Sequence, residues 1–282
     1  MQNHQEYLQI QENYINLTPQ RQKKEPINLQ NGIVYEGQWL GNKKDGFGIQ
    51  TWLDGAKYEG EWKNNRACGK GTFYHANGDI FEGNWQDDKA QGYGTFTRVN
   101  GSKYSGYWSN DMQNGYGVEQ WQDGSKYQGY YKDSKKNGQG TYIWADGSSY
   151  DGSWVENQLD GYGIYKWNDG RRYEGFWKNN YIHGKGKYTW QDGRYYEGDY
   201  FEDKKQGFGI YRWADGKIYE GEWFDGKQHG KGKYIYTFGE IKNGIFQNGK
   251  MVQCDDENNN LRNTNCNVSE KNNNNSNYGY IN

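Results

Sequence analysis

The sequence predicts an all-β fold: an elongated, twisted, single-layer antiparallel sheet of tandem 23-residue β-hairpin repeats. Three observations lead there. A 23-residue unit recurs from Tyr35 without insertion or deletion, every tryptophan falls in one of two columns of that unit, and each unit holds two stretches that alternate at period two.

An aromatic residue opens the unit at Tyr35, Tyr58, Phe81, Tyr104, Tyr127, Tyr150, Tyr173, Tyr196 and Tyr219, and a truncated tenth unit follows at Lys242 to Phe246. The first stretch, Tyr35-x-Gly37-x-Trp39, places both rings on one face of a strand. Trp62, Trp85, Trp108, Trp154, Trp177 and Trp223 repeat Trp39, with Tyr131 and Tyr200 substituting. A polar six-residue connection, Leu40 to Asp45 in the first unit, is expected next. The second stretch, Gly46-x-Gly48-x-Gln50-x-Trp52, alternates in the same way, and Phe73, Phe96, Tyr142, Tyr165, Tyr188, Tyr211 and Tyr234 occupy the Gln50 position later. Trp121, Trp144, Trp167, Trp190 and Trp213 repeat Trp52, while His75, Arg98 and Tyr236 depart from it. Asp54-Gly55, Asn77-Gly78 and their equivalents close each unit, and such dipeptides predict tight hairpin turns.

The glycines fit this reading, because a residue without a side chain lets a neighbouring ring lie over the backbone. Gly37, Gly46 and Gly48 are expected to make that space. Hydrophobic residues make up only 32% of the 282-residue chain but aromatics 18%, so the core is expected to be a ladder of rings and not an aliphatic one. Ile27 and Leu29 fall in the ring columns one unit upstream. Half-units are therefore expected at both ends, giving an array over 27–249 flanked by tails over 1–26 and 250–282. Tyr7, Ile10, Tyr14 and Leu17 have the spacing of a short amphipathic helix ended by Thr18-Pro19. The Asn-rich tail from Asp255 cannot bury a core and is expected to be disordered.

The pattern YEGxWxxxxxxGxGxxxWxDGxxYEG resembles the MORN repeat (membrane occupation and recognition nexus) across residues 35–246. The resemblance implies a twisted single-layer sheet with an aromatic-lined groove. It also implies a role like that of the array-only members, which are scaffolds in cilia, cell-division structures and membrane junctions. Some members carry a phosphoinositide kinase or a SET-domain methyltransferase beside the repeats; nothing in this sequence resembles either.

No enzyme is expected. Of His4, His75, His183 and His229, only His183 and His229 share a column, and these lie two units apart with no cysteine or carboxylate at ligand spacing. The Gly-x-Gly of each unit lacks the strand–loop–helix setting and the Gly-Lys-Ser/Thr ending of a phosphate loop, so no cofactor is expected. The column Glu36, Glu59, Glu82, Asp151, Glu174, Glu197 and Glu220 alternates with the buried rings and reads as a solvated face. A net charge of −2 carries no electrostatic footprint for nucleic acid. Three cysteines, Cys68, Cys254 and Cys266, suit a reducing compartment with free thiols. The start MQNHQEYLQI shows no signal peptide, and no apolar run reaches the length of a membrane helix. Together these lead to an expectation of a cytoplasmic protein, and the resemblance implies one of the cytoskeleton or cilium, such as an axonemal radial spoke.

Two candidate surfaces remain. Gln50, His75 and Arg98 interrupt the ring columns and form a candidate docking notch for proteins of such an assembly, or for a second copy of the chain. The pairs Lys43-Lys44, Lys135-Lys136 and Lys204-Lys205 lie in equivalent connections and form a candidate contact with anionic phospholipids such as phosphoinositides. Asp87-Asp88, Asp133, Glu202 and Asp203 in the same connections offset that charge, so the sequence favours the scaffold over the membrane tether.

Overall fold

A computed structural model describes residues 20–254; the helix expected within 4–18 and the tail from Asp255 lie outside the described residues. The chain divides into two compact units at Asn168/Asp169. Both are built in the same way. Each repeat supplies a seven-residue strand, such as Val34–Leu40, and a nine-residue strand, such as Lys43–Thr51. These strands pair antiparallel with their neighbours in sequence.

The turns exchange the roles the sequence assigned to them. Most of the expected six-residue connection is strand, and only two residues turn: Asn64 and Asn65 with φ of 50° and 70°, then Asp87 and Asp88 with 51° and 68°. Positive φ at both central residues defines the tight hairpin turn whose twist matches the strands. The Asp-Gly dipeptides instead sit in wider loops. Residues 52–56 are closed by Trp52 N donating to the Ala56 carbonyl at 2.9 Å and Gly55 N to the Trp52 carbonyl at 3.0 Å, and only the glycine, at φ 88°, is left-handed.

Two glycines of the unit have different jobs. Gly37 faces Gly48 across the strand pair, and this contact leaves no room for a side chain. Gly46, at φ 102°, belongs to a bulge: between the pairs Gly37–Gly48 and Trp39–Lys44, three residues of one strand oppose one of the other. The Gln38 side chain closes that bulge by accepting a hydrogen bond from Phe47 N at 2.8 Å. Gly46 is therefore a conformational requirement and does not make space for a ring.

The sheet extends beyond the expected 27–249 at both ends. A strand Gln22–Asn28 pairs with the first repeat and lays Lys24 Nζ 5.0 Å from the centroid of Trp39, a ring no preceding repeat can cover. At the other end, strand Lys250–Cys254 places Met251 opposite Phe246. Cys68 is a free thiol, as expected, but Cys254 is disulfide-bonded, against the expectation.

Candidate functional site: the aromatic face

The opening tyrosine of each repeat is the keystone of one face. Tyr35, Tyr127, Tyr150, Tyr173, Tyr196 and Tyr219 are wholly buried. Each meets at least one tryptophan edge-on, and Tyr58 meets two, Trp62 and, one repeat on, Trp85, both at 5.1 Å. Such pairs contribute about 0.5–1.5 kcal/mol beyond area burial. The hydroxyl then donates to the carbonyl three residues on, from Tyr35 to Gln38 at 3.0 Å and from Tyr104 to Tyr107 at 3.0 Å. Desolvation raises the Tyr35 hydroxyl to about 12, so these phenols remain donors throughout the physiological range. The tryptophans are pinned in turn, with Nε1 donating to a glycine carbonyl of the preceding repeat: Trp62 to Gly48, Trp85 to Gly71 and Trp108 to Gly94, at 3.0–3.1 Å.

Phe81 is the repeat that lacks this hydroxyl. Phe81→Tyr is expected to stabilise the chain by about 1 kcal/mol by supplying a donor to the Asn84 carbonyl, measured by chemical denaturation.

The structure also brings together what the sequence left apart: a column of residues two positions after each tight turn, pointing into the rings. Lys44, Lys136 and Lys205 occupy it in three repeats. Lys136 Nζ lies 5.1–5.8 Å from the centroids of Trp121, Tyr127, Tyr142 and Trp154. Lys205 Nζ lies 4.5–5.7 Å from Trp190, Tyr196, Tyr211 and Trp223. Lys44 Nζ is 3.9 Å from the Trp62 centroid and donates to Gln50 Oε1. Desolvation lowers all three ammonium groups, Lys44 to about 8 and Lys205 to about 7. Around Lys136 and Lys205 these are four-walled aromatic cages that the protein fills with its own cations, whereas Lys44 meets two rings, Tyr35 and Trp62, with Gln50 in place of a third.

The candidate lipid contact is thereby split. Lys44, Lys136 and Lys205 turn inward, and the other member of each pair is engaged at the surface: Lys43 with Asn64 at 3.3 Å, Lys135 with Glu156 at 3.2 Å and Lys204 with Asp225 at 2.5 Å. No pair presents two charges to one surface.

The residues of the candidate docking notch are engaged in contacts of their own, with His75 and Arg98 still exposed. His75 continues the ring row, 4.6 Å from Phe73 and 5.7 Å from Phe96. Arg98 lies 5.7 Å from the Phe96 centroid and 3.4 Å from Glu119, a buried carboxylate standing where other repeats place a ring, which also accepts from Tyr131 Oη at 2.9 Å. Arg98 and Glu119 are thus one paired departure, and Gln50 with Lys44 is another. Among the described residues no group of three His, Cys, Asp or Glu side chains is placed to hold a metal, and no helix is long and apolar enough to cross a membrane.

The opposite face carries a second aromatic feature that the columns of the sequence hid. Tyr93 and Tyr107 pair at 5.7 Å and Tyr116 and Tyr130 at 5.5 Å, all four at least 40% exposed on consecutive strands. All four directly follow a glycine of the repeat, and that shared position is the sequence signal for them.

Comparison with known proteins completes the description. The family described as MORN repeat matches nine times, over residues 35–57, 58–80, 81–103, 104–126, 127–149, 150–171, 173–193, 196–218 and 219–237. No curated protein sequence matches the chain. Among solved structures, the SAS-4 (dCPAP) TCP domain of Drosophila melanogaster, in complex with a proline-rich motif of Ana2 (dSTIL), is 10% identical, covering 61% of this chain and 86% of that one at a TM-score of 0.34. The TCP10 domain of Danio rerio CPAP (E1021V mutant) is 12% identical, covering 77% and 96% at 0.27. Virginiamycin B lyase of Staphylococcus aureus is 13% identical, covering 81% and 88% at 0.16. Likenesses this distant support no statement about function.

Proposed function

The chain belongs to the MORN-repeat family, and we propose from this that it is a non-catalytic scaffold joining proteins of a cytoskeletal or ciliary assembly. MORN-repeat proteins are generally non-catalytic scaffolds for protein or membrane interaction. The observation that carries the protein reading over the membrane reading is the fate of the charges. Half of the candidate lipid-binding lysines are enclosed by rings and the rest are engaged with neighbours, while aromatic surface is left open to solvent. Exposed contiguous aromatic area is characteristic of protein interaction sites. The partners are accordingly other proteins of that assembly, with a second copy of the chain among the candidates, and the location is the cytoplasm.

Sedimentation with vesicles tests this reading. The purified chain is expected to co-sediment with phosphoinositide-containing vesicles no more than with plain phosphatidylcholine vesicles. Salt-sensitive binding that disappears when Lys43, Lys135 and Lys204 are changed to glutamate would overturn it in favour of a phospholipid tether.

A further inference from the structure

Not every repeat fills its own cage. Alanine stands at the position of Lys136 in two adjacent repeats, as Ala67 and Ala90. Around Ala67 the walls are Trp52, Tyr58, Phe73 and Trp85, the counterparts of the four rings around Lys136 three repeats on. The ring-to-ring distances match in both. Trp52–Phe73 and Trp121–Tyr142 are 5.5 and 5.4 Å apart, Phe73–Trp85 and Tyr142–Trp154 are both 6.2 Å, and Tyr58–Trp85 and Tyr127–Trp154 are 5.1 and 5.5 Å. The methyl group of Ala67 reaches only the floor of this frame. In consequence Trp85 is half-buried, whereas Trp62, Trp154 and Trp223, each covered by a lysine, are at most 6% exposed.

Charge also distinguishes the alanine repeats from those of Lys44 and Lys136. The backbone N–H of the column residue is capped by a side chain from the next tight turn. Lys44 and Lys136 are capped by the neutral Asn65 and Asn157 at 2.7 and 2.8 Å. Ala67 and Ala90 are capped by Asp88 and Asp111, both at 2.7 Å. The lysine repeats of Lys44 and Lys136 thus have a neutral cap, and the two alanine repeats have a carboxylate on the same backbone N–H. (Ile182 is also capped by an aspartate, Asp203, but an isoleucine fills that frame.) Arg66, at the same hairpin end as Ala67, is paired with Asp87 at 3.2 Å.

The geometry points to the Ala67 cage as a binding site for a methylated lysine side chain of a partner protein. Size admits the methylated form. A methyl carbon about 1.5 Å from nitrogen and about 3.5–4 Å from a ring face sets the nitrogen about 5 Å out, the distance at which the matching rings hold Lys136 Nζ. Hydration selects it. The native cages lower the proton affinity of a bare ammonium, so dehydration of an –NH₃⁺ exceeds what the rings return. A trimethylammonium keeps its charge, is weakly hydrated and cannot lose a proton. Asp88 supplies the counter-charge. The neighbouring Ala90 frame is the poorer site, with His75 in place of a tryptophan and Arg98 lying over its Phe96.

This inference rests on the scaffold reading only in taking the ligand to be a protein side chain, and its test is separate from the vesicle assay. Three synthetic peptides of one sequence are titrated calorimetrically into the full chain, with trimethyllysine, lysine or the neutral carbon isostere of trimethyllysine at the central position. The trimethyllysine peptide is expected to bind at least fivefold more tightly than the lysine peptide and at least tenfold more tightly than the isostere. Asp88→Asn, which keeps the cap in the form that Asn65 and Asn157 already use, weakens it severalfold. Ala67→Lys, which installs the internal cation of the Lys136 repeat, weakens it at least tenfold. Equal binding of the isostere, or unchanged binding by folded Ala67→Lys, overturns the proposal; should that variant fail to fold, unchanged binding by Asp88→Asn does so. Binding of phosphatidylcholine vesicles in place of the peptide also overturns it, in favour of a choline headgroup.

Discussion

Gly60→Ala is expected to lower stability by about 3 kcal/mol or more, the range of a severe core substitution. A Cβ at Gly60 would lie 2.5 Å from Gly71 Cα, 2.6 Å from the Lys70 carbonyl oxygen and 2.7 Å from Tyr58 Oη. Two of these are backbone atoms and the third is the hydroxyl that anchors the keystone ring to the Glu61 carbonyl at 3.1 Å. Relief requires parting the two strands or evicting Tyr58 from between Trp62 and Trp85. In a repeat array each unit leans on its neighbours, so the loss reaches beyond one hairpin. Gly55→Ala acts differently. Gly55 has open space around it but a φ of 88°, so its cost is conformational and about 1 kcal/mol. Denaturant unfolding of the two variants distinguishes steric from conformational glycines.

Lys205→Met is expected to stabilise the chain at pH 7 by about 1–2 kcal/mol, since an apolar side chain of similar length replaces a cation held without a counter-charge among rings. The fold supplies the precedent, because Ile182 and Met251 hold the same column position elsewhere. The sign of the pH dependence follows from the lowered proton affinity. At high pH the lysine is neutral in both folded and unfolded chains. As pH falls from about 10 to about 7 the unfolded chain takes up a proton that the folded chain does not, so stability falls with it and levels off below about 7. Wild type therefore gains stability between pH 7 and 9.5, and Lys205→Met removes up to about 1.4 kcal/mol per pH unit of that slope near pH 8.5. Lys44 and Lys136, shifted in the same direction, retain their shares. Urea denaturation at pH 7 and at pH 9.5 measures the difference.

The repeat, its strands and its aromatic ladder were legible because they depend on columns of one residue class at fixed spacing: an aromatic ring at the positions of Tyr35 and Trp39 and a glycine at that of Gly37, nine times over. The turns were misassigned for a physical reason. Asp-Gly is the strongest sign of a tight hairpin turn, yet Asn64-Asn65 and Asp87-Asp88 adopt left-handed φ at both positions without a glycine, leaving Asp54-Gly55 to a wider loop. The lysine column was missed because Lys43-Lys44 beside a turn reads as solvated charge. Only the column as a whole, which runs Lys44, Ala67, Ala90, Gln113, Lys136, Leu159, Ile182, shows an inward position. Likewise His75 and Arg98 looked like holes in a ring row. Glu119, which answers Arg98, lies 21 residues away in the next repeat, and no local motif links them.

The scaffold reading is tested most directly in cells, by detergent extraction of a tagged copy expressed at its natural level, with soluble and insoluble fractions compared. The predicted result is retention with the detergent-insoluble cytoskeleton, lost on high salt or on axoneme disassembly. Release by mild detergent from a membrane pellet would contradict the scaffold and favour a lipid-bound role.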